Sequence, residues 1–237
     1  MNQIIKLGVG IMLAGLLTAC GPDGDSGGEE GILSKGGECV NIGPTSSKKG
    51  SSSTERIRAF GKETFVETKV LEYNSKVIKA SKRYYGAEEL MLYVEAKYEI
   101  KNNYSYDTET NLTTIMQGME TKVNTSSNPH GIRVPYGKVC KGQSWVDVFT
   151  SNIVTYPGEK ESNQTFNSIW GIEDINVEKT VEAGEFSTYI KVQYADKEKK
   201  KIKLKEWVDM KSGLNVYSET YRNGQVERIH ELIEFDQ

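Results

Sequence analysis

The 237-residue sequence has few of the residues on which several function classes depend. It contains two histidines and three cysteines. It has no excess of basic residues, since 33 acidic residues slightly outnumber 30 basic ones. A nucleic-acid-binding domain is expected to carry a basic excess, so that class is disfavoured. Zinc sites need three or four nitrogen or sulfur ligands, and neither His130 nor His230 has a His or Cys partner nearby. The sequence therefore predicts no metal and no cofactor.

Signs of an enzyme are also scarce. There is no Walker-type phosphate loop. The acidic pairs Glu88-Glu89 and Glu173-Asp174 could in principle act as acids and bases. In a β-rich protein such pairs are more often solvated charges at the rim of a sheet. We therefore predict that the protein is not an enzyme.

Long hydrophobic runs are absent except at the N-terminus, where residues 1–20 read MNQIIKLGVGIMLAGLLTAC. The uncharged stretch from Leu7 to Leu17 would reach about 17 Å as a helix, well short of the ~30 Å hydrocarbon layer, and is typical of a secretory signal. Its end, Leu17-Thr18-Ala19-Cys20, resembles the bacterial lipobox. The resemblance implies that 1–19 is a lipoprotein signal peptide and that Cys20 carries acyl chains that anchor the protein to a membrane.

The residue after Cys20 bears on the location. In Gram-negative lipoproteins that resemble this one, a residue other than Asp at this position usually permits transfer to the outer membrane, and here it is Gly21. The rule applies only to Gram-negative cells. We expect a protein anchored by lipid to the cell envelope, and in such a cell on the outer membrane facing the periplasm.

Residues 20–54 have the composition of a tether, with nine glycines and many serines. Such a segment buries little apolar surface and stays flexible. We predict a lipidated Cys20 and a Gly/Ser-rich tether over 20–54, followed by a single β-rich domain over 55–237.

Two cysteines remain besides Cys20. Cys39 and Cys140 form an even pair in an exported, oxidising setting, which predicts a disulfide, with two reduced thiols as the alternative. A bridge would pin residues 40–42 to the domain and leave only 21–38 as tether.

The apolar pattern from Phe65 onward favours strands. Residues 90–100 alternate, and residues 186–194 repeat the pattern with Phe186, Ile190, Val192 and Tyr194 inward. The second segment continues through a charged tip into residues 202–205, which predicts a hairpin. We predict a mainly β, antiparallel fold, either a strongly curved sheet or an incomplete β-barrel, with at most short helices at Ser53–Phe60 or Ala87–Leu90.

A second hairpin is predicted at Asn223-Gly224, since this dipeptide suits a type I′ turn. With a two-residue loop, Tyr221 would face Val226, and Glu219 would face Arg228 as an opposite-charge pair.

The C-terminal half carries an ordered set of motifs: Gly142-Gln143-Ser144-Trp145, then Ala183-Gly184-Glu185-Phe186, then Trp207 followed by Gly213-Leu214. This order resembles bacterial envelope lipoproteins of unknown function with half-barrel domains, over about residues 133–235. It is more distantly similar to the lipoprotein carriers of the Gram-negative periplasm. Relatives of this kind, where a function is known, hold apolar chains in a concave sheet.

Two functions follow as hypotheses. In the first, a concave apolar face binds a lipid-like ligand or a partner peptide through some of five aromatic residues: Trp145, Phe149, Trp170, Phe186 and Trp207. In the second, the domain is solid and works through its outer surface in an envelope assembly. Fold analogy alone does not decide between them.

A lysine-rich stretch is the sharpest local charge feature; it contains Lys197, Lys199, Lys200, Lys201, Lys203 and Lys205. It either contacts anionic lipid headgroups or an acidic envelope polymer, or it keeps a hairpin tip soluble and protects it from edge pairing.

Overall fold

The computed structural model describes residues 31–42, 50–73, 77–86, 90–101, 104–116, 119–135 and 137–236. These residues form sixteen strands and no helix: β1 Gly31–Lys35, β2 Cys39–Asn41, β3 Ser52–Ala59, β4 Lys62–Tyr73, β5 Val77–Gly86, β6 Leu90–Lys101, β7 Tyr104–Met116, β8 Met119–Asn128, β9 Arg133–Pro135, β10 Lys138–Cys140, β11 Gln143–Tyr156, β12 Lys160–Val181, β13 Gly184–Tyr194, β14 Ile202–Asp209, β15 Asn215–Arg222 and β16 Gln225–Asp236. The predicted mainly β class is confirmed. The described part of the chain contains no helix with the length and hydropathy that crossing a membrane requires.

Fourteen of these strands belong to one sheet, in which paired neighbours run antiparallel, as predicted. The pairing runs from β11 through β12 to β16, then through β3 to β8. Residues 150–156 of β11 also pair with residues 122–128 of β8, so the path returns to the strand from which it began. β1 pairs with the first residues of β11, and β9 pairs with β7. β2 and β10 form a separate two-stranded sheet, here called the cap.

Buried and exposed side chains alternate along β4, as expected for a strand with one face in the core. In β4, Val66 and Val70 are buried, whereas Glu67 and Lys69 on the opposite face are exposed. β13 departs from this pattern, because every residue from Thr188 to Gln193 is buried. The predicted inward residues Ile190 and Val192 are buried, and Phe186 and Tyr194 are half-buried, but the polar side of this strand is covered as well. On that side, β14 places Val208, Glu206 and Leu204 directly opposite Tyr189, Lys191 and Gln193.

The structure corrects two predictions about the N-terminal part. The helix suggested at Ser53–Phe60 is wrong, because this segment is β3, paired with β16 and β4. The alternative range, Ala87–Leu90, lies outside the described residues except for Leu90, which begins β6. Within the predicted tether over 20–54 lie β1, β2 and the first residues of β3, and β1 pairs with β11.

The Asn223-Gly224 hairpin forms with the predicted two-residue loop, closed by Arg222 paired with Gln225. Both loop residues have positive φ, 53° and 78°, as a type I′ turn requires. Tyr221 faces Val226 as predicted, but the second predicted pair is wrong. An irregularity between Thr220 and Tyr221 shifts the register by one residue, so Glu219 lies opposite Ile229.

Candidate functional site

The register of β11 and β12 brings together three of the five predicted ligand-binding aromatics. Trp145 lies opposite Trp170, and Phe149 lies opposite Phe166 with their ring centroids 5.1 Å apart. Trp145, Phe149 and Trp170 are 0%, 5% and 2% exposed. These side chains are packed among other side chains of the protein and do not line an open surface.

The other two predicted aromatics lie in a second cluster. Phe186 and Trp207 are partly buried and pack against Val181, Val216 and Leu232. Trp207 meets Tyr217 edge to face, with centroids 5.2 Å apart. Trp145 and Trp170 therefore belong to one buried cluster, and Phe186 and Trp207 belong to another.

The cap closes over the first cluster. Ile42, which follows β2, and Val139 of β10 are buried against Trp145 and Trp170. Cys39 and Cys140, directly opposite each other in the cap, are joined by a disulfide. Gly36 precedes the cap with a φ of 75°, and a Cβ there would lie 2.8 Å from the Cys140 Cβ, the Gln143 nitrogen and the Lys141 oxygen. Only glycine fits that approach.

A buried ion pair lies beside the aromatic residues. Asp147 is fully buried and accepts hydrogen bonds from Arg133 Nε at 2.5 Å and from the Arg133 backbone nitrogen at 3.1 Å. Burial raises the pKa of the Asp147 carboxyl, and the charge of Arg133 opposes that rise. Sequence reasoning missed this pair. Its signal was an aspartate in the inward phase of β11, between Trp145 and Phe149.

A second charged pair lies nearby on β13 and β14. Lys191 is 5% exposed, its Nζ lies 2.7 Å from Glu206 Oε2, and the ammonium lies 4.7 Å from the centre of the Trp170 ring. Gln193 Nε2 donates to Ser168 Oγ at 3.2 Å. The buried face of this region is therefore mixed in polarity, which is unlike a purely apolar groove.

Most lysines of the predicted patch contact other groups within the domain. Lys199 Nζ donates to Ser144 Oγ at 2.8 Å, Lys200 pairs with Glu198, and Lys205 Nζ lies 2.5 Å from Glu173 Oε2. Lys197 and Lys203 also take part in contacts within the protein. Lys201 is exposed. Two of the six lysines, Lys200 and Lys205, therefore have a carboxylate partner within the domain.

Lys179 lies against two aromatic rings near the second cluster. Its Nζ is 3.5 Å from the centre of the Tyr217 ring and 4.7 Å from that of Trp207. Burial lowers the pKa of Lys179, and the charges of Glu219 and Glu231 act in the opposite direction. Glu219 also accepts hydrogen bonds from the hydroxyls of Tyr217 and Tyr221. Burial, assisted by Glu219, raises the pKa of both tyrosines.

A titration of Lys179 tests this arrangement. We expect its pKa, measured by NMR of isotopically labelled lysine, to lie below the ordinary value of 10.5. Glu219→Gln should lower it further, because the substitution removes a charge that favours the ammonium. Glu198→Gln, beside Lys200, is the matched control and should leave Lys179 unchanged. A Lys179 pKa that rises in Glu219→Gln would contradict the assignment.

An open groove of about 310 Å³ lies between two hairpins, lined by residues 58–63 and 226–229. It contains none of the five predicted aromatics. Phe60 and Val226, 65% and 45% exposed, are the exposed large apolar residues among those whose burial the structure describes, and both line this groove.

The whole chain was compared with known proteins. No family model, curated protein or solved structure matches it. Any functional inference therefore has to come from the side chains and their geometry.

The remaining predicted features lie partly outside the described residues. Cys20 and the signal segment 1–19 belong to that part, as do Glu88 and Glu89. Within the described residues, no group of three or more His, Cys, Asp and Glu side chains is placed to hold a metal ion. Glu173 and Asp174 form ion pairs with Lys205 and Lys141.

Proposed function

We propose that this chain is a non-enzymatic, membrane-anchored envelope lipoprotein that binds partner proteins through its outer surface. The observation that carries the proposal is the burial of Trp145, Phe149 and Trp170, at 0%, 5% and 2% exposure. A ligand would reach them only by displacing packed side chains, which a close-packed interior resists. The exposed apolar side chains lie instead at hairpin tips.

The anchor and the location are parts of the same proposal. The lipobox resemblance at Leu17–Cys20 supports acylation of Cys20, and Gly21 supports an outer-membrane position facing the periplasm in a Gram-negative cell. We further propose that the sheet is strongly curved. Its support is the pairing path that leads from β11 round to β8 and back to β11.

A second candidate function is the binding of a lipid-like ligand on the concave face. The observation that favours ligand binding is that Trp145, Phe149 and Trp170, three of the predicted ligand-binding residues, lie on one face of β11 and β12. The two functions differ in what should copurify with the protein: a bound lipid for the second candidate and none for the first.

The test uses the natural protein extracted in mild detergent. We expect intact mass spectrometry to find acyl groups on Cys20 and no further lipid, and photo-crosslinking in cells to trap a protein neighbour. The Cys20→Ser variant should move from the detergent phase to the aqueous phase, because it loses its acyl chains. A stoichiometric bound lipid would favour the second candidate. An unmodified Cys20 thiol in the natural protein would overturn the anchor.

A further inference from the structure

Two hairpin turns of this protein share one backbone geometry but differ in sequence. Asn223-Gly224 connects β15 to β16, and Phe60-Gly61 connects β3 to β4 between the paired residues Ala59 and Lys62. The φ values are 53° and 78° in the first turn and 52° and 72° in the second. Both are two-residue loops with positive φ at each position, as in a type I′ turn.

Phenylalanine is an unfavourable choice for such a turn. The left-handed conformation is tolerated by Gly and Asn but is strained for a bulky side chain. Packing could compensate for that strain, but the Phe60 side chain is 65% exposed. An exposed Phe60 therefore contributes little packing to the folded state, and Asn would suit the turn conformation better. Strain of this kind, without internal compensation, points to a role outside the chain.

The surroundings of Phe60 form a recognition surface. Phe60 and Val226, from the two different hairpins, line the same open groove. Charged residues of both signs complete the lining: Arg58, Lys62, Glu63, Glu227 and Arg228. Arg58 Nε pairs with Glu63 Oε1 at 3.0 Å, and Arg222 pairs with Glu227 at 3.1 Å beside the groove. An apolar centre with a polar, charged rim is the usual anatomy of a protein interface.

The charges favour a protein segment over a bilayer as the occupant. A surface for anionic lipids is dominated by basic residues, whereas this lining holds two carboxylates beside three cationic residues. A volume of about 310 Å³ accommodates one large side chain. In the lining, three cationic residues face two acidic ones, so acidic flanks suit the occupant better than basic flanks.

We propose that the groove between Phe60 and Val226 is the docking site for a partner protein, and that it receives one large apolar side chain flanked by acidic residues. This inference rests on the proposed function and names the surface and the class of partner. It makes Phe60 a residue selected for binding at the expense of turn stability.

The test uses the mature chain carrying Cys20→Ser, which removes only the acylation site. The probes are fluorescein-labelled pentapeptides with a central Trp, Leu or Ser, flanked by Asp or by Lys. We expect the Asp-flanked Trp and Leu peptides to bind best. Phe60→Asn should weaken their binding at least about tenfold, while raising the midpoint of thermal unfolding by roughly 3 °C, because Asn-Gly suits the turn.

Two further variants serve as controls. Val226→Thr keeps the branched shape and removes the apolar wall, so it should weaken binding several-fold without changing either turn. Asn167→Ser, at an exposed position of β12, should change nothing. Binding that survives both Phe60→Asn and Val226→Thr would overturn the proposal. Two other results would also overturn it: self-association of the chain that Phe60→Asn abolishes, and adsorption to phosphatidylcholine vesicles that Phe60→Asn abolishes. In each case the groove would bind something other than a partner protein.

A measurement in cells separates this inference from the proposed function. A photo-crosslinking residue at Gln225, beside the groove, should trap a protein neighbour in the wild type and lose it in Phe60→Asn. If neighbours are trapped elsewhere on the surface and Phe60→Asn has no effect, the groove is wrong and the proposed function stands. If no protein neighbour is trapped anywhere, the proposed function itself fails.

Discussion

Arg133→Met should reduce the free energy of unfolding by about 3–5 kcal/mol, because it leaves the buried Asp147 carboxylate without its cation. Arg133 donates from its side chain and backbone to Asp147, and its Nη2 also donates to the Val146 carbonyl oxygen at 2.5 Å. Asp147 is 0% exposed, so water cannot replace these donors. Urea unfolding followed by tryptophan fluorescence measures the loss.

The pH dependence of this loss has a defined sign. Burial already raises the pKa of Asp147 above its ordinary value of 3.8 in the presence of Arg133. A carboxyl with a raised folded-state pKa contributes stability that is fully present below the unfolded-state value and is lost as the pH rises through the folded-state value. Without Arg133 the folded-state pKa rises further. The deficit of Arg133→Met relative to the wild type should therefore be smallest at pH 4 and largest near pH 7.

Two variants control this prediction. Arg222→Met breaks an exposed pair with Glu227, and its effect should stay below about 1 kcal/mol. The double variant Arg133→Met/Asp147→Leu removes both charges and should recover most of the lost stability. If Arg133→Met is no worse than Arg222→Met, or if its deficit shrinks as the pH rises, the pair is not acting as a buried ion pair.

Local chemistry in the sequence predicts those parts of the fold where one residue pair determines the geometry. Asn223-Gly224 prefers positive φ, so its turn and the pairing of Tyr221 with Val226 followed from the sequence. The irregularity after Thr220 did not, because nothing local marks it. The same limit applies to Phe60-Gly61, since Phe is not a turn-forming residue and its conformation is visible only in the structure.

The candidate sites show a different limit. The hydrophobic periodicity of the sequence predicted which strands carry large aromatic residues. It could not distinguish the lining of a binding groove from a packed core, because both have Trp and Phe at alternate positions. Trp145 and Trp170 are sealed by the cap, whose strands lie about a hundred residues apart in sequence. The Gly/Ser-rich composition around β1 and β2 indicated a tether, whereas pairing with a distant strand decides their structure. Contacts of such sequence separation carry no local signal.

Loss of the Cys39–Cys140 disulfide should have the other large effect. The bond joins residues 101 positions apart, and closing a loop of that length stabilises the folded state by about 4–5 kcal/mol in the chain-entropy model. The Cys39→Ser/Cys140→Ser variant should therefore show a midpoint of thermal unfolding lower by roughly 10 °C or more. The cap should also loosen first, because it has only two strands and needs its packing on Trp145 and Trp170.

Hydrogen exchange separates the global effect from the local one. Without the bond, the amides of Val40 and Val139 in the cap should exchange well before those of Val192 at the centre of β13. Dithiothreitol should reproduce the shift in the wild type and have no effect on the double serine variant. Cys20→Ser is the matched control, since it removes a cysteine outside this pair. If the double serine variant keeps both the wild-type unfolding midpoint and slow exchange at Val139, the packing of Ile42 and Val139 holds the cap and the disulfide is dispensable.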